Sequence, residues 1–261
     1  SYPHGCLEQT ISAAFPQLYL SRFSELSDAM EKQSNAHVRK ALNDIIKFQA
    51  NDGGLSLWPG ERSNEWVTSY AGQFFLEAAK KGFGLPVGLR SSWLEFQQGR
   101  VVDWSWEDDE PYNRGLEQAY RLYTLALAGS ADLRAMNRLR ETPGICATAK
   151  WQLAATYMLA GQPEAGNKIA ADAGMLVGPY RPFDLTFGSG LRDKAMILES
   201  LCLIGDKDKA FPVAMEISEA LAKQEWMSTQ TTAMCLMAMS SFYGEQPVTS
   251  EGLMFSYAVS D

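Results

Sequence analysis

The sequence predicts an all-α fold, an α/α toroid (α6/α6 barrel) of about six helix pairs. Three observations lead there. Apolar residues recur at helical spacing over most of the 261 positions. Several of these runs are apolar nearly all round, and a helix apolar on every side is buried on every side. Between them lie more polar, amphipathic segments, so buried and half-buried helices alternate.

A first buried helix starts near residue 7 in "GCLEQTISAAF", and Pro16 marks a break or a first turn. The polar segment 34–50 reads as an outer helix. Trp66, Tyr70, Phe74 and Ala78 then recur every four residues, which predicts a second inner helix from about 65. Leu116, Tyr120 and Tyr123 continue the logic from about 115. "AKWQLAATYMLAG", "AMILESLCLIG" and "TTAMCLMAMSSFYG" supply buried helices near 148, 190 and 228. The segments 131–141, 163–173 and 207–223 fall between them as outer helices, with Pro212 at another break or first turn.

A weak repeat carries the same order. "LALAGSADLRAMNRL", "YMLAGQPEAGNKIA" and "LCLIGDKDKAFPVA" each run from apolar helix through glycine stop and polar turn to amphipathic helix. Gly129, Gly161 and Gly205 are the stops. Alternation of this kind favours closure into a ring over an open solenoid. The toroid is expected over residues 1–248. The tail 249–261 contains "GLMFSYAVS", which alternates like a strand and reads as the lead into a following β domain absent from this sequence.

Composition narrows the function. Hydrophobic residues make up 46%, and the formal net charge is −8 with a pI near 4.9. No basic run suits a phosphate backbone, so nucleic acid is not an expected partner. No apolar run approaches a membrane span of about 20 residues, and the start Ser-Tyr-Pro-His carries no signal-peptide pattern. Cys6, Cys146, Cys202 and Cys235 lie far apart without a CxxC pair, so neither a metal nor a redox cofactor is implied. Cys202 and Cys235 sit in apolar runs and read as core residues. "EDDE" at 107–110 reads as a solvated acidic loop.

Cys6 is different, because its neighbours are Gly5, Glu8 and Gln9. A nucleophilic cysteine normally needs a histidine base, and the chain has only His4 and His37, the latter expected on a polar helix surface. Cys6 and Gln9 are three residues apart, a spacing that puts both on one side of a helical turn. Attack of the sulfur on the Gln9 carboxamide would release ammonia and close a side-chain thioester. Gly5 gives the tight entry its backbone freedom. Such a stored electrophile is useful only where water is kept away.

"GCLEQ" resembles the GCxEQ signature of the thioester domain of the alpha-2-macroglobulin and complement family. "YPHGCLEQT" is similar to the bacterial members, which usually carry tyrosine where His4 stands. "AFPQLYL", "FQANDGGLSLWPGERSNEWVTSYAGQFFLEA" and "WMSTQTTAMCLMAMSSFYG" resemble later family segments in the same order. The resemblance implies the toroid fold and a place in a multidomain protease trap. There, bait cleavage exposes the Cys6–Gln9 thioester, which acylates the attacking protease. It implies other domains of the parent chain as partners, a periplasmic or cell-envelope, lipid-anchored parent, and an inhibitor rather than an enzyme.

Glu8 would orient the Gln9 carboxamide, or is a first-turn glutamate favoured by the helix dipole. In complement-type members a downstream histidine assists transfer to hydroxyls. None follows His37, so the resemblance implies direct transfer to amines, with His4 as the one adjacent base. Trp104 and Trp106 shield the thioester or pack the toroid rim. The rival function is an α/α-toroid enzyme acting on a glycan or isoprenoid, with Cys6 incidental. It would need paired acids on inner-helix ends, and Asp52-Gly53-Gly54 reads as turn chemistry rather than an acidic cluster.

Overall fold

The computed structural model describes residues 5–106, 111–178, 186–223 and 226–244. His4, the acidic run 107–110 and the tail 249–261 lie outside the described residues.

Six helices form an inner ring: α1 (Leu7–Ala14), α3 (Glu65–Lys80), α5 (Pro111–Leu127), α7 (Ala147–Leu159), α9 (Gly190–Ile204) and α11 (Thr229–Tyr243). Each packs on the next, and α11 packs back on α1. The ring is therefore closed, and the structure is the α/α toroid expected. Among the described residues there is no strand, only an isolated bridge between Gln49 and Leu55. The outer layer comprises α2 (Asp28–Asp44), α4 (Leu89–Asp103), α6 (Leu133–Glu141), α8 (Pro163–Asp172) and α10 (Lys207–Ala222). Trp66, Tyr70, Phe74 and Ala78 are all buried, as are Leu116, Tyr120 and Tyr123.

The repeated stop has one geometry. In α5, α7 and α9 the residue after the glycine donates its N–H five residues back: Ser130 to Leu125, Gln162 to Tyr157, Asp206 to Leu201. This is the Schellman closure, which satisfies carbonyls at the end of a helix. Helix α3 ends the same way at Gly82, with Phe83 donating to Ala78. Asp132 and Asp206 then cap the next outer helices by accepting from Ala135 and Lys209.

Two details differ from expectation. Pro212 lies inside α10, past its first turn. Residues 89–103, singled out by no sequence signal, form α4 and seal the outside of α3 and α5. Pro16 does mark a break, since α1 passes there into a 3-10 segment, Phe15–Arg22.

Candidate functional site

The start of α1 is built from both sides. Gly5 sits at φ +105°, where L side chains are strained, and Cys6 follows in extended conformation as the N-cap. The Cys6 carbonyl accepts from Thr10 N and Thr10 Oγ1, each at 3.0 Å. Gln9, at the third helical position, turns back so that its Oε1 accepts from Gly5 N at 2.9 Å. This is a close relative of the capping box, in which the third side chain binds a backbone N–H before the helix.

The segment 49–58 anchors this turn. Leu57 O accepts from Leu7 N at 3.0 Å. That segment is in turn held by Ser56, whose Oγ donates to Phe48 O and Trp58 O, and by Thr68 of α3, which accepts from Leu55 N. Asp52 closes the Asp-Gly-Gly turn by accepting from Gly54 N and Ser63 Oγ, so that motif is structural.

Cys6 is almost wholly buried, at 9% exposure. Burial pushes its thiol pKa up, against the pull of the backbone amides of Gln9 and Glu8 at the helix start. Cys146 occupies a similar N-cap on α7, with a thiol pushed up to about 11 by burial. Cys202 goes up to about 11 and the fully buried Cys235 to about 12, as expected of packing residues.

The hydrogen bonds of Glu8 run to Ser12 and Thr229. Its carboxylate accepts from Ser12 Oγ at 2.7 Å and from Thr229 Oγ1 at the head of α11. Ser12 Oγ also pairs with Tyr70 OH of α3 at 3.0 Å. Glu8 thus ties three inner helices together beside Cys6.

Gly5, Cys6, Glu8 and Gln9 line one hollow of about 870 Å³ at the end of the toroid where the inner helices begin. Its walls are largely apolar: Leu57, Trp58, Phe187, Met227 and Trp226, which is 89% exposed. Thr229 and Gln230 complete it from α11. Trp104 and Trp106 do not line this hollow. The Arg138 guanidinium of α6 lies 5.4 Å from the Trp104 ring, and the Trp106 ring lies 6.4 Å from that of Trp104. Both sit where α4, α5 and α6 meet. His37 is exposed on α2, as expected. Among the described residues no cluster of His, Cys, Asp and Glu could hold a metal ion.

Sequence reasoning missed the walls. Trp58 lies inside "GGLSLWPG" and Trp226 inside "EWMSTQ", but neither position has a local pattern that marks it as facing Cys6. It also missed the buried pair behind them, Arg192 and Asp193, at 2.8 Å and fully enclosed. Arg192 lies 4.3 Å over the Trp66 ring and donates to Gln230 Oε1.

Comparison with known proteins agrees with this geometry. The family described as the A-macroglobulin TED domain matches residues 1–102. The alpha-2-macroglobulin of Escherichia coli (strain K12) is 26% identical over 265 residues, spanning 91% of this chain and 15% of its own length. The native conformation of Escherichia coli alpha-2-macroglobulin superposes with a TM-score of 0.79 at 25% identity, over 92% of this chain and 16% of that one. Its trypsin-activated form gives 0.76 at 25% identity, over 93% and 17%. The chain therefore spans about a sixth of these relatives. In motif, fold and sequence the chain is similar to the thioester domains of the bacterial alpha-2-macroglobulins.

Proposed function

We propose that this domain stores an acyl group as a thioester between Cys6 and Gln9 and spends it to capture an attacking protease. The observation that carries the reading is the first turn of α1. Cys6 and Gln9 share that turn and one sheltered hollow, and the Gln9 acyl oxygen is held by Gly5 N–H. In forming the bond, Cys6 Sγ attacks Gln9 Cδ, the C–N bond breaks and ammonia leaves with the thiol proton. In spending it, an amine attacks the same carbon, the C–S bond breaks, and the sulfur takes up the proton the amine loses. One bond is consumed per capture, so the protein is an inhibitor without turnover.

Further support comes from the relatives. A relative at 25% identity has been seen in a trypsin-activated form, which supports proteases as partners of the parent protein. The apolar walls around Cys6 suit a bond that must stay dry until it is needed. The absence of histidine after His37 favours amines, lysine side chains above all, as acceptors. The bacterial relatives support a place in the periplasm or cell envelope, with other domains of the parent chain covering the hollow before activation. No helix of the described residues is long and apolar enough to cross a membrane.

Intact mass is the test. Loss of ammonia makes freshly prepared protein about 17 Da lighter than its sequence mass, and methylamine restores a Cys6 thiol. A full sequence mass in every preparation, with Cys6 always alkylatable, would sink the reading.

A further inference from the structure

The hollow beside Cys6 has a polar floor that the thioester turn itself does not explain. Gln230, in the first turn of α11, is completely buried. Its Oε1 accepts from Trp66 Nε1 at 3.3 Å and from Arg192 Nη1 at 3.2 Å. Both partners are obligate donors, so this end of the amide must be the oxygen and the other end the NH2 group. Among the described residues that Nε2 has no hydrogen-bond partner. A buried donor left unpaired is costly, and proteins rarely keep one without a use for it.

Its position supplies the use. Gln230 lines the same hollow as Gly5, Cys6 and Gln9. Its neighbour Thr229 is bonded to Glu8, the neighbour of Gln9, so the first turns of α11 and α1 are tied at this point. Among the described residues three other side-chain amides have a buried, unpaired atom, Gln49 Nε2, Gln118 Nε2 and Gln152 Oε1, but none of them lines this hollow.

We propose that Gln230 is an oxyanion donor for acyl transfer, its Nε2–H completing with Gly5 N–H a pair of donors to the Gln9 acyl oxygen. The inference rests on the thioester reading. When an amine nitrogen adds to Gln9 Cδ, the C=O pair moves onto oxygen, which becomes an oxyanion. Gly5 N–H already holds that oxygen at 2.9 Å in the unreacted carboxamide. A second donor gains most as the charge develops, which is the condition for speeding the reaction rather than merely binding the ground state. The tetrahedral centre then collapses, the C–S bond breaks, and the proton shed by nitrogen ends on Cys6 Sγ. Arg192 and Trp66 keep the Gln230 amide from turning its oxygen toward that charge.

The experiment follows methylamine coupling by intact mass in wild type, Gln230→Glu, Gln230→Met and Gln118→Leu, with thermal melts in parallel. Gln230→Glu keeps an acceptor for Trp66 and Arg192 but removes the donor, and Gln230→Met guards against a variant that does not fold. Coupling about 100-fold slower in the folded Gln230 variants, with Gln118→Leu at the wild-type rate, is expected. A wild-type coupling rate in either folded Gln230 variant overturns the proposal while leaving the thioester intact. A wild type without the ammonia deficit overturns both readings.

Discussion

Thr229 Oγ1 lies 2.9 and 3.1 Å from the two carboxylate oxygens of Glu8, joining the last inner helix to the first across 221 positions of sequence. This contact closes the ring at the same place where it builds the Cys6 turn. Ring closure and site assembly are therefore one event, and damage to one should register in the other.

Thr229→Val tests that coupling. It removes a hydroxyl donor from a nearly buried carboxylate, and a loss of about 1–3 kcal/mol is expected in urea unfolding. Combined with Glu8→Ala, the two losses should be clearly less than additive, because both remove the same bond. Additive losses would mean that the contact contributes nothing specific.

Nucleophile preference is the second expectation. A hydroxyl needs a base to attack a thioester, whereas an unprotonated amine does not. With no histidine after His37, labelled methylamine should couple at Gln9 far faster than glycerol. His4→Ala should leave amine coupling unchanged. Efficient glycerol transfer that disappears in His4→Ala would instead make His4 the base.

A third prediction concerns packing between α3 and α4. A Cβ built on Gly72 would fall 2.4–2.6 Å from ring atoms of Trp93, itself fully buried and donating through Nε1 to Thr68 O. Gly72→Ala should cost about 1–3 kcal/mol of stability by overpacking, despite the better helix propensity of alanine. A stabilised Gly72→Ala would show that α4 is free to move outward.

The opposite end of the toroid should respond to pH. Glu199 accepts from Gln73 Nε2 at 2.7 Å and from Tyr123 OH at 3.2 Å. Burial and then the nearby Glu77 carboxylate push its pKa up to about 7 from an ordinary 4.5. The folded state then holds a proton that the unfolded chain releases. Its contribution is fully present below about pH 4.5 and is lost as pH rises through 7. Unfolding free energy should fall by about 1–3 kcal/mol over that window, and Glu199→Gln should flatten the slope. An unchanged slope in Glu199→Gln would place the titration elsewhere.

What the sequence determined by itself is whatever repeats locally. The inner and outer order, the stops at Gly129, Gly161 and Gly205, and the helical turn holding Cys6 and Gln9 follow from periodicity and turn chemistry. These depend on neighbours within about four residues, and the backbone reads them wherever the segment lies. Helix α4 escaped because its apolar residues Leu89, Trp93, Phe96 and Val101 are spread among polar ones. Tertiary structure alone decided which side chains meet around Cys6. Trp58, Phe187, Trp226 and Gln230 come from three separate segments, and their convergence depends on ring closure rather than on any local pattern. Helix packing likewise sets Trp104 against Arg138 and Trp106 against Trp104, away from the hollow that holds the thiol. A helix period says which face is buried; only the packing of helix on helix says against what.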